Sequence, residues 1–252
     1  MFDLEETYRE AFHKDRPHGE PIQLSQDYSA STYLTPLLTC RQFYADAHLL
    51  ALSRTLFVIT NPYIALDVSQ RLADRLQPEQ ISALRHVALV ADARHFRRIA
   101  DWNCHAFNLP LLRLDELSII LHRSSYWHYL FDHNVQLCVL LRYLQGVRRL
   151  SFIRNNALIK GTLLTWYNRL IRLILVMDEK NWSSHRQEES WWAWEHCSIA
   201  QTVSFSVRPP KPASLTKQQN QELIAPLYET LRSSMELEEE DPDPMSRVSV
   251  GM

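Results

Sequence analysis

Apolar positions along this chain follow two periods in turn. Short apolar runs with strand character occur at 56–59 (Leu56-Phe57-Val58-Ile59), 87–90 and 117–121, and 148–154 reads as a fourth strand. Between them, apolar residues recur at three- and four-residue spacing, the pattern of a helix with one buried face. Leu37, Leu38, Phe43, Tyr44, Ala47, Leu50 and Ala51 form the first such stretch. Further helical stretches follow at 64–84, broken near Pro78, at 96–107 and at 127–144, the last ended by Gly146. The strand centres keep a regular interval. Phe57, Val87, Leu117 and Leu150 lie 30, 30 and 33 residues apart, and Ile59, Leu89, Ile119 and Phe152 repeat those intervals two positions on.

Three of these runs fit the h-x-x-h-x-h core of a leucine-rich repeat: Leu84-x-x-Val87-x-Leu89, Leu114-x-x-Leu117-x-Ile119 and Val147-x-x-Leu150-x-Phe152. Strands joined through helices by short connections pair in parallel, because each must return to the same edge. The pattern therefore predicts an α/β fold, an open stack of leucine-rich-repeat-like strand–helix units with a parallel sheet. A closed or doubly wound sheet is the alternative. After residue 156 the period changes. Leu163, Leu164, Trp166, Tyr167, Leu170, Ile171, Ile174 and Leu175 lie on one face of a single long helix. A polar loop at 179–189 follows. The alternation of Trp192 and Trp194, then Val203, Phe205 and Val207, predicts a C-terminal β-hairpin that closes the stack with the long helix.

The domain organisation reads as a polar N-terminal segment (1–32) with one helix from Leu4 to Lys14, then a single repeat-like domain (33–212). A short helix and linker (213–235) and an acidic tail (236–252), disordered by composition, complete it. Charge is segregated along these boundaries. Residues 1–32 carry a net −4 and residues 236–252 a net −5, while the body between them carries +7, with 19 of its 23 bases arginine. An arginine-rich body suits nucleic acid or an acidic protein surface. No nucleic-acid motif accompanies the charge, so nucleic acid is not the expected partner. The tail is expected to shield the surface around Arg148, Arg149 and Arg172, or else only to aid solubility.

Glycine is scarce, 4 residues in 252, and none lies near another. That excludes glycine-rich phosphate cradles and the glycine-flanked nucleophile elbow, and no cofactor is expected. The acidic start without a following apolar stretch implies no signal peptide. No apolar run is long enough to cross a membrane, and Cys40, Cys104, Cys138 and Cys197 are too scattered for a disulfide framework. The expected location is the cytoplasm or nucleus.

The stretch Leu37-Leu38-Thr39-Cys40-Arg41-Gln42-Phe43-Tyr44-Ala45-Asp46-Ala47 resembles a family of uncharacterised filamentous-fungal proteins with an L-L-x-x-C-R-x-h-Y motif. The resemblance extends through Arg113-Leu114-Asp115-Glu116-Leu117, Ser125-Tyr126-Trp127-His128, Trp166 to Ile171 and Trp191-Trp192-Ala193-Trp194, covering roughly residues 33–212. In that family the motif follows an F-box or F-box-like segment and leads into leucine-rich-like repeats. The resemblance implies a substrate-recognition module and a ubiquitin-ligase adaptor as partner. Residues 1–32 lack the L-P-x-E-h-h segment that docks on that adaptor, so the module would be a degenerate one.

With the strands in register, the positions alternating with the core points form a polar and mixed ladder. His86, Asp92, Glu116, Ser118, His122, Arg149, Ser151 and Asn155 are its candidate partner-binding residues. Either this face is open to a partner or helices cover it, and Val90, Ile120 and Ile153 fit the second case. Arg148, Arg149 and Arg154 with Arg169 and Arg172 make a candidate basic patch. Asp92, His122 and Asn155 share one offset at the strand ends, where a hydrolase with Ser124 or Ser125 as nucleophile would place its groups. No oxyanion-hole glycine or activating motif supports that alternative, so the chain is expected not to be an enzyme. His128 and His133 diverge on a helix, and Cys104-His105 and His196-Cys197 are adjacent pairs, so no metal site is expected. Trp182, Trp191, Trp192 and Trp194 suggest either an aromatic platform or packing at the sheet end.

Overall fold

The structure is a computed structural model of the chain. It describes residues 3–12, 20–60, 68–102, 104–180 and 192–208, with isolated helical positions between 218 and 229. The proline-rich end of the expected domain at 209–212 and the acidic tail at 236–252 lie outside the described residues, as do Trp182 and Trp191.

The fold is mixed α/β around a mostly parallel sheet. Helix α1 (Leu4–Phe12) comes first, then α2 (Ala30–Leu34) and α3 (Arg41–Arg54), then strand β1 (Leu56–Ile59). Helices α4 (Val68–Arg75) and α5 (Pro78–Ala83) lead to β2 (His86–Ala91). The five-residue α6 (Phe96–Ala100) precedes β3 (Leu114–Leu121), and α7 (Asn134–Tyr143) precedes β4 (Val147–Ile153). The long α8 (Leu163–Lys180) is followed by β5 (Trp192–Cys197) and β6 (Thr202–Val207). In space the strands run β1-β2-β3-β4-β6-β5.

The first four strands are parallel neighbours, and their register is the one the spacing predicts. Phe57 faces Val87, Val87 faces Leu117 and Leu117 faces Leu150; Ile59, Leu89, Ile119 and Phe152 align two positions on. Strand β6 pairs antiparallel with β4, and β5 antiparallel with β6. Local chemistry differs from expectation at two helices. The apolar stretch 96–107 yields only α6, because residues 104–109 turn through two left-handed positions, Phe107 and Asn108 (φ 55° and 56°). The stretch 127–144 becomes helical only from Leu130, as a short 3-10 turn running into α7.

Two cores lie on opposite faces of the sheet. The larger joins Val87, Leu89, Leu117, Ile119, Leu150 and Phe152 to α6, α7 and α8. At its centre the Phe152 ring meets Phe96, Trp166 and Phe205 edge-on, and the Trp166 indole N–H donates to Asn134 Oδ1 at 2.8 Å. Trp192 packs at the end of this core and donates its indole N–H to the Leu141 carbonyl, while Trp194 is half-buried against it.

The smaller core draws on residues that precede position 33. Ala11 and Phe12 of α1 pack on Leu56, Ala88, Val90, Ile120 and Ile153, joined by half-buried Tyr8, Ile22, Leu24 and Tyr28. The N-terminal segment thus packs, through its described residues, on the sheet. It forms a strap across the second face of the sheet, tied by Tyr28 Oη to the Leu56 carbonyl at 2.6 Å and by Ile22 N–H to the Ala200 carbonyl at 3.0 Å.

Candidate functional site

The polar ladder exists in register, and the strap covers it. His86 pairs with Glu116 and Glu116 with Arg149, while Ser118 pairs with Ser151 and Ser151 with Ser204. Ser118 is 1% exposed and Asn155 4%, and His86 and Ser151 are buried too. The Tyr8 hydroxyl donates to Glu116 Oε2 at 2.8 Å, and Ser118 and Ser151 donate to Oε1 at 3.5 and 3.1 Å. Burial and the Glu116 charge together push the Tyr8 hydroxyl far above its usual pKa, so it stays a donor. Tyr8, Glu116, Ser118 and Ser151 thus satisfy each other beneath α1. Of the ladder, Arg149 and His122 are exposed and Glu116 and Asp92 half-buried, Arg149 donating to Ser204 Oγ at 3.2 Å.

At the strand C-terminal ends the three aligned groups diverge. Asn155, left-handed at φ 52°, accepts the Leu24 N–H at 2.8 Å and donates to the Leu121 carbonyl at 3.1 Å. The Arg123 guanidinium adds bonds to its carbonyl and side-chain oxygens, at 2.9 and 3.1 Å. Asn155 therefore clamps the strap. Asp92 is half-buried and faces His128, Oδ1 to Nδ1 3.7 Å, while the His122 side chain is exposed. Ser124 closes a turn with Tyr126, its hydroxyl donating to the Tyr126 carbonyl at 3.0 Å. Among the described residues no hydrogen bond or ion pair joins Asp92 to His122, or either to Ser124 or Ser125.

His128 is the residue at this end that sequence reasoning passed over. It is buried in the loop before the 3-10 turn, rather than on a helix with His133. Its Nδ1 accepts the Ala93 N–H at 3.2 Å and its Nε2 lies 2.8 Å from the His122 carbonyl. A backbone N–H donating to Nδ1 leaves the proton on Nε2, so Nε2 donates to that carbonyl. Its own backbone bonds Leu158 and Lys160. One residue, through its ring and its backbone, thus ties together the loops that follow β2, β3 and β4. No sequence signal marks it beyond a lone histidine beside apolar residues.

The candidate basic patch is not one patch. Arg148 and Arg149 sit where β4 begins, whereas Arg154 follows its far end and bonds the Ala157 carbonyl and Gln201. Arg169 stacks on the Phe131 ring, 4.8 Å from its centre, and Arg172 is exposed on α8. A cavity of about 350 Å³ beside β2 brings His95, Arg98, Asp101 and Trp102 together, with His95 Nδ1 already accepting the Asp92 N–H. Among the described residues no group of three metal-ligating side chains forms, and no helix is long and apolar enough to cross a membrane.

Three other histidines carry a pH consequence. Desolvation lowers the pKa of His86, His133 and His196 from the usual value of 6.5; nearby carboxylates oppose it at His86 and His133. The fold holds these rings neutral, while the unfolded chain protonates them near their usual pKa. Below that pH the unfolded state binds more protons, so their contribution is complete above about 6.5 and is lost as pH falls through the lowered values. The thermal midpoint should drop between pH 7 and pH 5.5. His133→Asn with His196→Asn should flatten the drop, and an unchanged slope in that variant would show the assignment is wrong.

The α3 region departs from expectation in direction rather than in structure. The helix forms, with the Cys40 sulfur accepting the Phe43 N–H as its cap. Only Leu37, Ala51 and Leu52 of this stretch are buried, however, while Leu38 is 83% and Leu50 53% exposed, with Phe43, Tyr44 and Leu49 exposed beside them. Gln80 of α5 donates to the Tyr44 hydroxyl at 3.0 Å, anchoring the outward face. Compared with family models, curated proteins and solved structures, the chain gives no match.

Proposed function

We propose that this protein is a non-catalytic interaction scaffold, an open stack of leucine-rich-repeat-like strand–helix units. On this reading α8 and the β5–β6 hairpin close one end of the stack, and β1 with α3 forms the open end. The near-constant strand interval and in-register parallel pairing support the repeat reading. The scaffold reading rests on one observation, the uncovered apolar surface of Leu38, Phe43, Tyr44, Leu49 and Leu50. Contiguous exposed apolar surface marks an interaction site more often than it is tolerated idly. The partner surface is therefore moved from the strand ladder, which the strap occupies, to this end of the stack. The fungal-family resemblance covers the same residues and makes a degenerate F-box-type recognition module, acting in the cytoplasm or nucleus, the specific form of the proposal. A hydrolase draws no support from the dispersed Asp92, His122, Ser124 and Ser125.

The test is affinity purification of the full chain from its native host, wild type against Leu38→Glu with Leu50→Glu. Both side chains are exposed, so the variant should keep its stability to within about 0.5 kcal/mol. Partners should be lost from the variant alone, with the ubiquitin-ligase adaptor scored first. Identical partner sets from the two chains would overturn the proposal.

A further inference from the structure

An arginine stands at the start of every parallel strand: Arg54 before β1, Arg85 before β2, Arg113 before β3 and Arg148 opening β4. Adjacent strands lie about 4.8 Å apart, so the four make a row along the N-terminal rim of the sheet. Three of them, Arg85, Arg113 and Arg148, line a groove of about 490 Å³ with Asp115, Gly146 and Val207. Arg85 donates to the Arg113 carbonyl at 2.6 Å, and Arg148 reaches Asp115 at 3.1 Å. Asp115 is the one carboxylate among the described lining residues, so three guanidinium groups face a single acid. The groove therefore keeps a positive excess, and the Arg148 side chain is 82% exposed.

Val207 ends β6 at the edge of this groove. Twenty-seven residues lie between Arg208 and Glu236, where the six acids of the stretch Glu236 to Asp243 begin. That length spans at most about 90 Å, several times the width of the arginine row. We propose that the arginine groove is a docking surface for an extended acidic peptide, and that its occupant is this chain's own segment 236–243. Alternate side chains of an extended peptide repeat on one side at about 6.8 Å, a spacing that lets successive carboxylates meet arginines from neighbouring strands. Guanidinium groups take carboxylates in two-point fashion, and tethering raises the local concentration of the segment to the millimolar range. Each exposed pair is weak alone and is screened by salt, so occupancy needs several pairs at once. Arg149 and Arg172, which the charge pattern also suggested as tail contacts, are not among the groove's lining residues.

The test measures anisotropy of a fluorescein-labelled peptide of residues 236–243 against four full-length proteins at about 20 mM salt. These are the wild type, a chain with its six tail acids changed to the matching amides, and two further forms of that neutral-tail chain. One carries Arg85→Gln, Arg113→Gln and Arg148→Gln; the other carries Arg41→Gln, Arg71→Gln and Arg97→Gln, exposed arginines away from the groove that give the same net charge. Neutralising the tail should tighten probe binding about tenfold by freeing the groove. The groove triple should abolish that gain, the control triple should keep most of it, and all four should converge near 0.5 M salt. If the groove triple fails to fold, Arg113→Gln alone should weaken the probe about threefold. Equal binding by wild type and neutral-tail chain, or equal losses in both triples, would overturn the proposal.

Discussion

Replacing Phe152 with alanine should cost about 3–5 kcal/mol of stability, the largest single loss available in this fold. Phe152 is fully buried on β4, with ring centroids 5.7 Å from Phe96, 5.3 Å from Trp166 and 6.1 Å from Phe205. Those partners come from α6, α8 and β6, so one ring joins the parallel part of the sheet to both its helical cover and its antiparallel part. Alanine there removes the transfer energy of the ring and leaves a cavity that four separate elements cannot close together. Urea unfolding measures the loss. An exposed counterpart on α7, Val135→Ala, should stay within about 0.5 kcal/mol. A loss below about 1.5 kcal/mol at Phe152 would mean the site collapses freely, against the packing described here.

The second large effect is expected at His128. His128→Ala leaves the Ala93 N–H and the His122 carbonyl without the imidazole that satisfies both, in a place where the ring is 2% exposed. Buried groups left unpaired cost about 1–3 kcal/mol each, so a loss of about 2–4 kcal/mol is expected. His128→Asn offers an acceptor where Nδ1 stood and should return part of it. Hydrogen exchange at the Ala93 amide separates this account from simple cavity formation. Protection there should fall in the alanine variant and recover in the asparagine one, and unchanged protection in both would rule the account out.

The sheet was readable in the sequence because parallel pairing leaves so little freedom. A strand that slips by one residue turns its apolar side outward, so Val87, Leu117 and Leu150 must recur with the same parity. The long α8 was readable for the same kind of reason, an apolar face eight residues deep. The strap was not. Tyr8, Ala11 and Phe12 are too few among acids and bases to announce a buried face, and what they bury against lies more than 40 residues away. The α3 stretch shows the converse limit. Its spacing specifies a helix, but spacing does not say whether an apolar stripe faces the core or solvent. Among the candidate site residues, the ladder's alignment was legible and its occlusion was not, because the occluding element looks polar in isolation. The candidate arginines failed as a group for a geometric reason: β4 is seven residues long, so Arg148 and Arg154 stand roughly 20 Å apart at its two ends.

The strap also sets an order of assembly. Each parallel strand meets its neighbour across an interval of about thirty residues, so those pairings close short loops and need little of the chain. Tyr8 must find Glu116, Leu24 must find Asn155, and Ile22 must find Ala200, separations of 108, 131 and 178 residues. On a ribosome the strap emerges ahead of its seat, which is finished only when β4 and the turn at Ala200 have followed. The strap is thus made before its seat yet is among the last elements to be placed, and until then Glu116, Ser118 and Ser151 face water.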